Sequence, residues 1–276
     1  MSDLPSRAEA LATAVGSHPA RLLAVLLVAG ALGLLAVVSA WRHARRRADR
    51  VWGDRLSAFV YLEIHLGLGF AAVVALSVFI AIAAGVGGDS LATRVDLALA
   101  EALHTTSAPV LVTVLRGVTF VGEGWSQAAI GVIVALGLLR AKRRLWALAW
   151  SVALAGGGVL NATLKAVYAR PRPAFADPIL TASGFSFPSG HSMGTFILAG
   201  MAAYLGVLAS ARPGRGLGYV ILALAWTVTM GFSRMVLGVH YLTDVLGGFA
   251  AGAFWLGVCI TGVEIARRRR PSAPTG

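Results

Sequence analysis

The first group of residues that could do chemistry is a run of cations, in which Lys165, Arg170 and Arg172 fall within eight residues. Such charges repel one another unless an anion lies among them. Phosphate suits guanidinium groups because their N–H donors pair with its oxygens in parallel. Two prolines, Pro171 and Pro173, predict that a helix ends here. Taken alone, the run is more typical of cationic side chains that reach from a helix end to the membrane interface.

A second group lies in the segment 186–192, which reads Ser-Phe-Pro-Ser-Gly-His-Ser. Ser189 and Gly190 at the start of a helix would leave backbone N–H groups free, and the helix dipole favours an anion at that end. Gly190 also permits a close approach of the backbone to a ligand. His191 could donate a proton to a leaving oxygen. A plain helix cap followed by an interfacial histidine explains the segment equally well.

The third group spans a predicted turn at Gly238, with Arg234 before it and His240 and Asp244 after it. His240 and Asp244 are four residues apart, so they share one face of a helix. A carboxylate bonded to one ring nitrogen fixes the tautomer and leaves the other nitrogen free to attack. A purely structural histidine–aspartate pair is the alternative.

Together the three groups supply several cations, a helix N-terminus, a histidine–carboxylate pair and a separate acid. This set predicts covalent phosphoryl transfer through a phosphohistidine, with no metal and no cofactor. No pair of carboxylates on the same side of the protein has the spacing of metal ligands. The single cysteine, Cys259, offers neither a disulfide framework nor a zinc pattern. The remaining histidines are scattered: His18, His43, His65 and His104.

Membrane helices must position these residues, because the chain is 57% hydrophobic and only 13% charged, about half the usual charged share of a soluble domain. Its net charge of +12 would suggest nucleic acid in a soluble protein, but the cations cluster at the ends of apolar runs and therefore indicate membrane topology. We expect no nucleic-acid partner. About 20 apolar residues span a bilayer. Seven stretches qualify or come close: 22–41, 64–86, 124–139, 145–163, 192–210, 217–234 and 241–263.

The distribution of basic residues predicts the orientation of these spans, because cytoplasmic loops are enriched in lysine and arginine. Alternation with seven spans puts the C-terminus inside, the N-terminus outside and all three chemical groups on the extracytoplasmic side. The segment 87–123, also outside, mixes apolar and charged residues in the manner of one or two interfacial amphipathic helices. The expected cytoplasmic segments are 42–55, 140–144, 212–215 and 267–270, with 16 of the 24 lysines and arginines.

The three groups together resemble the three-part signature of the type 2 phosphatidic acid phosphatase superfamily. Six residues separate Lys165 from Arg172-Pro, the segment Pro-Ser-Gly-His ends at His191, and five residues separate Arg234 from His240, with Asp244 after three more. The resemblance covers residues 165–244 directly. That superfamily includes lipid phosphate phosphatases, bacterial undecaprenyl diphosphate phosphatases and lipid A phosphatases.

The resemblance implies a role for each matching residue. His240 would attack phosphorus, Asp244 would orient it, and His191 would protonate the leaving group and later activate water. Arg170 lies at a variable position of the signature and is a possible substrate-binding residue. The expected phosphate-binding residues are Lys165, Arg172, Arg234, Ser189 and Gly190.

The resemblance also implies an all-α, polytopic membrane helix bundle in the cell membrane, with a six-helix phosphatase core and one extra N-terminal transmembrane helix. Residues 1–60 would form the N-terminal tail, the extra helix and a basic loop. Residues 61–263 would form the membrane phosphatase domain, and 264–276 a basic cytoplasmic tail.

The function predicted from these features is metal-independent hydrolysis of a lipid phosphate or diphosphate at the outer membrane face, with undecaprenyl diphosphate favoured as the substrate. Phosphatidic acid, phosphatidylglycerol phosphate and lipid A phosphate are close alternatives, and so is phosphate transfer to an acceptor lipid. A transporter or scaffold with structural charges requires three coincident motifs. The partners we expect are the lipid substrate and membrane lipids; the sequence does not determine the oligomeric state.

Overall fold

A computed structural model describes residues 4–52, 56–210 and 213–268, and the elements in these ranges are all α-helices. The all-helical class predicted from the sequence is confirmed. The basic cluster 42–55, Arg212 and the end of the tail lie outside the described side chains. The helices are α1 (Leu4–Gly16), α2 (Pro19–Trp52), α3 (Leu56–Ala84), α4 (Leu91–Thr106), α5 (Pro109–Val121), α6 (Gly124–Arg140), α7 (Arg144–Tyr168), α8 (Gly190–Ala209), α9 (Pro213–Val236) and α10 (Leu242–Arg268).

The seven apolar stretches of the sequence coincide with α2, α3 and α6 to α10. Among the described residues, only α7 to α10 are singly long and apolar enough to cross a membrane. Two further crossings are possible if bent pairs of helices count as single spans: α1 with α2, bent by 97°, and α4 with α5, bent by 115°. The segment predicted to hold one or two interfacial helices thus contains two, α4 and α5, with a sharp bend of 115° between them.

The N-terminal segment differs from the tail that the sequence suggested, because residues 4–16 form α1 and pack against α4. Small residues allow this contact: a Cβ on Gly16 would meet Cβ of Ala102 at 2.6 Å. Thr106 also donates a hydrogen bond from Oγ1 to the carbonyl of Gly16, at 3.1 Å. The surrounding apolar cluster includes Ala12 and the fully buried Leu103. Tertiary packing therefore stabilises a helix that is too short to be obvious from the sequence.

The core of the bundle lies around α10, which packs against α3, α7 and α8. Its buried side chains include Trp150, Phe187, Met193 and Ile197. A second cluster joins α4, α5 and α9. Because α7 to α10 are antiparallel neighbours in chain order, the end of α7, the start of α8, the end of α9 and the start of α10 meet at one end of the bundle.

Local sequence sets the helix ends at this site. α7 ends at Tyr168, and Ala169 takes a left-handed conformation (φ +44°) before Pro171. α8 begins after Ser189, whose hydroxyl accepts a hydrogen bond from the N–H of Ser192. The turn between α9 and α10 contains Gly238 at φ +71°, as the sequence predicted. A side chain there would also lie 3.1 Å from the ring of Phe175.

Candidate active site

His240 and Asp244 form a buried pair where the turn enters α10. Nδ1 of His240 lies 3.3 Å from Oδ2 of Asp244, and the two side chains are 2% and 0% exposed. The backbone N–H of Tyr241 donates to the same oxygen at 2.9 Å. Because a carboxylate only accepts hydrogen bonds, the proton of the neutral imidazole is on Nδ1 and the lone pair is on Nε2. Burial lowers the pKa of His240 to about 4, which keeps this nitrogen unprotonated at neutral pH.

Arg172 covers the free nitrogen of His240. Its Nη1 lies 3.1 Å from Nε2 and also donates to the carbonyl of Val239 at 2.8 Å. The rest of the guanidinium donates to the carbonyls of Ser183 and Gly184, each at 3.0 Å. A strong cation is thus held where a phosphoryl group would have to approach the imidazole.

Arg170 points away from this position and into two carboxylates. Its Nη1 lies 2.6 Å from Oδ1 of Asp244, and its Nη2 lies 2.8 Å from Oδ2 of Asp96 in α4. Thr243 links the same groups, since its backbone N–H donates to Asp96 at 3.0 Å. The guanidinium also stacks on the ring of Tyr241, 4.3 Å from its centroid. Arg170 is therefore arranged to hold Asp244, while the substrate-binding role suggested by the sequence stays a prediction.

Lys165, one helical turn before the end of α7, reaches the loop that follows the helix. Its ammonium group donates to the carbonyl of Phe185 and lies 3.4 Å from that of Ser186. It is also within electrostatic reach of Arg172, Arg234 and Asp244. The two carbonyls therefore hold the ammonium group of Lys165 at the site, where its positive charge can interact with an anion.

Arg234, at the end of α9, is 2% exposed and bonds through Nη1 to the hydroxyl of Thr119 in α5. Its Nε is buried with no hydrogen-bond partner among the described residues. A buried guanidinium with an unused donor is a costly arrangement, and an anionic ligand would complete it.

Ser189 and Gly190 form the start of α8. The hydroxyl of Ser189 is fully buried and accepts a hydrogen bond from the hydroxyl of Ser192 at 3.0 Å. In this structure Ser189 therefore acts as the N-cap of α8. A Cβ on Gly190 would come within 2.9 Å of Oδ1 of Asn161, which explains why a side chain is not accommodated there. The backbone of this helix end remains the part available to an anion.

His191 occupies the first turn of α8, with its side chain 15% exposed. Its Nε2 lies 3.3 Å from Oε1 of Glu123, but the geometry is not that of a hydrogen bond, and no other described residue bonds to this buried nitrogen. The ring is within electrostatic reach of Arg234, His240, Arg172 and Lys165. His191 thus lies beside the cation cluster.

The structure brings the sequence-predicted residues together at one end of the bundle, but it adds three that the sequence analysis did not select: Asp96, Thr119 and Glu123. All three lie on α4, on α5 or directly before α6. No local motif marks them, because each meets its partner only through tertiary packing. One feature of the sequence could have identified Asp96: it is an acidic residue among the apolar residues of a predicted amphipathic helix. In the structure its side chain is buried, with 1% exposed.

The arrangement is suited to transferring a phosphoryl group. It combines a neutral, oriented imidazole with a free lone pair, cations around that lone pair, and a second imidazole that could carry a proton. In the described part of the chain, His, Cys, Asp and Glu side chains form no group of three or more that could hold a metal ion. The charges present for a phosphate are those of the lysine and the arginines.

Comparison with known proteins gives concordant results. A family model described as the PAP2 superfamily matches residues 144–268. Phosphatidylglycerophosphatase B of Bacillus subtilis (strain 168) is 33% identical over 181 residues, which cover 65% of this chain and 88% of that protein. Decaprenylphosphoryl-5-phosphoribose phosphatase of Mycobacterium tuberculosis (strain ATCC 25618 / H37Rv) is 33% identical over 170 residues, with coverages of 58% and 85%. The crystal structure of a transmembrane PAP2 type phosphatidylglycerolphosphate phosphatase from Bacillus subtilis matches with a TM-score of 0.67 and 30% identity, covering 73% of this chain and 100% of that one.

Proposed function

The chain belongs to the PAP2 superfamily of phosphatases, and we propose that it removes a phosphate group from a membrane lipid through a covalent phosphohistidine at residue 240. The observation that carries this proposal is the pairing of His240 with Asp244 under Arg172. Nδ1 is bonded to the carboxylate, so the lone pair of Nε2 is directed at the guanidinium. A phosphate drawn to that guanidinium would lie next to the nucleophile.

In the first step, the Nε2 lone pair of His240 forms a bond to phosphorus while the bond from phosphorus to the lipid oxygen breaks. His191, in its protonated form, gives its proton to that oxygen, so the lipid leaves as an alcohol. Lys165, Arg172 and Arg234 stabilise the negative charge of the phosphoryl oxygens, together with the backbone of Gly190 at the start of α8.

In the second step, His191 is neutral and accepts a proton from water as the water oxygen attacks phosphorus. The bond from phosphorus to Nε2 breaks, inorganic phosphate leaves, and His191 is protonated again for the next cycle. Asp244 stabilises the positive charge that His240 carries while it bears the phosphoryl group. Arg170 and Asp96 hold Asp244 in place throughout.

The relatives favour a phosphate ester as the substrate. Their names describe phosphatases of phosphatidylglycerol phosphate and of a decaprenylphosphoryl phosphoribose; in each, the phosphate is attached to a glycerol or ribose group of a lipid. We propose this class of substrate ahead of undecaprenyl diphosphate, which the sequence alone favoured.

The proposal is tested by phosphate release from purified protein supplied with phosphatidylglycerol phosphate in mixed micelles. We expect release without any acceptor lipid, which separates hydrolysis from transfer, and loss of at least about a thousandfold in the His240→Asn variant. The His18→Asn variant, at an exposed histidine between α1 and α2, is the matched control. Equal activity of His240→Asn and the control would overturn the mechanism.

Metal independence is a separate part of the proposal, supported by the lysine and arginine charges around His240. Activity is expected to survive prolonged treatment with EDTA. Complete loss that only an added divalent cation restores would show that a metal supplies part of the charge.

A further inference from the structure

A pocket of about 440 Å³, with both polar and apolar lining, adjoins the proposed proton donor but lies outside the group of cations around His240. Its walls are the end of α5, the residue before α6, and the loop residues 178–181. Glu123 lines this pocket and also lies 3.3 Å from Nε2 of His191. Thr119 lines it too, and accepts a hydrogen bond from Arg234. The pocket therefore adjoins the proposed phosphate site through Glu123 and Thr119.

Through Glu123, the pocket lies next to Nε2 of His191, the nitrogen that would give its proton to the leaving oxygen. Nε2 of His191 is buried and has no hydrogen-bond partner among the described residues, so the oxygen that receives its proton would bind at this nitrogen. The chemical group attached to that oxygen then lies against the carboxylate of Glu123. Residues of this pocket would therefore contact the leaving group rather than the phosphate.

The charges in the pocket have opposite signs and different chemical preferences. The carboxylate of Glu123, 41% exposed, only accepts hydrogen bonds and suits hydroxyl donors, whereas an anion at the same point would be repelled. Arg116 also lines the pocket and donates from Nη2 to the carbonyl of Ile179 at 2.5 Å. A guanidinium has five N–H donors, so this bond leaves capacity for an anionic group.

We propose that this pocket is a headgroup subsite that binds a hydroxylated leaving group at Glu123 and an anionic linking group, such as a phosphodiester, at Arg116. The inference rests on the proposed function and makes it more specific. The volume suits a glycerol- or sugar-sized group, since small-molecule pockets start at about 300 Å³. A diphosphate would instead leave as a phosphate anion facing Glu123, so the subsite selects against prenyl diphosphates.

The test compares selectivity between phosphatidylglycerol phosphate and phosphatidic acid, whose leaving group has no free hydroxyl. The ratio of their kcat/KM values is measured for the wild type, Glu123→Gln and Arg116→Gln. We expect each variant to lower the ratio by about tenfold or more, as for loss of one hydrogen bond to a charged group. Arg116→Gln should act mainly through KM. Glu101→Gln, an exposed carboxylate on α4, is the control and should leave the ratio unchanged.

The outcomes separate this inference from the proposed function. If Glu123→Gln slows both substrates equally, Glu123 only positions His191, and the subsite is overturned while the lipid phosphatase proposal stands. If the wild type releases phosphate from neither lipid, the proposed function fails and the subsite with it. If the selectivity falls in Glu123→Gln and Arg116→Gln but not in the control, the subsite is established.

Discussion

Two arginines that are two residues apart in the chain have opposite surroundings in the structure. Arg172 bonds to backbone carbonyls and to the ring of His240, and no carboxylate in the described ranges forms an ion pair with it. Arg170 is buried between the carboxylates of Asp96 and Asp244, so its charge is neutralised. The residue type alone does not distinguish these two roles. The difference depends on the ion pair with Asp96 of α4, a helix that is distant in sequence.

The first prediction is that Arg170→Ala mainly destabilises the protein. It leaves two buried carboxylates without their partner, which costs about 3–5 kcal/mol. Arg172→Ala is the matched comparison and should keep its thermal midpoint closer to the wild type while losing about a hundredfold or more in kcat/KM. Thermal unfolding in detergent and phosphate release measure the two effects. A stable Arg170→Ala beside an unfolded Arg172→Ala would contradict these assignments.

The second prediction concerns the protonation of His240. Because burial lowers its pKa to about 4, well below the value near 6.5 of an ordinary histidine, the ring stays neutral as the pH falls through 6.5. The ¹⁵N chemical shifts of labelled histidine, assigned by comparison with His240→Asn, should show a neutral ring down to about pH 5. Protonation near pH 6.5 would mean that the nucleophile is solvated.

At the scale of elements, the ends of helices position the chemistry. The sequence allowed three such ends to be identified, because Pro171, the Ser189 cap and Gly238 are strong local signals. It did not reveal α1, nor the contributions of α4 and α5, since these depend on contacts between segments far apart in the chain. Thr119 and Glu123 belong to that second class.

The third prediction is that Gly238→Ala impairs both stability and activity. A left-handed φ of +71° costs a residue with a side chain about 1–2 kcal/mol, and the added Cβ would press on Phe175 at 3.1 Å. The displaced turn would move His240 away from Arg172, so kcat should fall. The matched control is Gly218→Ala in α9, where a Cβ meets nothing within 4 Å. The thermal midpoint and kcat are measured for both variants. Equal thermal midpoints and equal kcat values in the two would contradict the role of the turn.

At the scale of the whole molecule, the ends of α7 to α10 meet α4, α5 and the start of α6 around one charged end. The family and the phosphatase activity predicted from the three motifs are confirmed by the relatives that the chain matches. The division into residues 1–60, 61–263 and 264–276 stays a prediction, as does the side of the membrane on which the charged end lies.

The fourth prediction assigns that side. In a Cys259→Ala background, Thr181→Cys in the loop before α8 should react with a membrane-impermeant maleimide in intact cells. Ala141→Cys in the turn between α6 and α7 should react only after permeabilisation, because the lysine and arginines around it favour the cytoplasm. Both positions are exposed. The reverse labelling pattern would place the site on the cytoplasmic side.

The covalent intermediate is tested most directly by finding where the phosphoryl group is attached during turnover. A lipid substrate labelled in its terminal phosphate is mixed with the enzyme, the reaction is quenched within milliseconds, and the labelled peptide is sequenced by mass spectrometry. The account predicts an acid-labile phosphoryl group on the imidazole of His240, absent from His240→Asn. A phosphoryl group on any other side chain would contradict it.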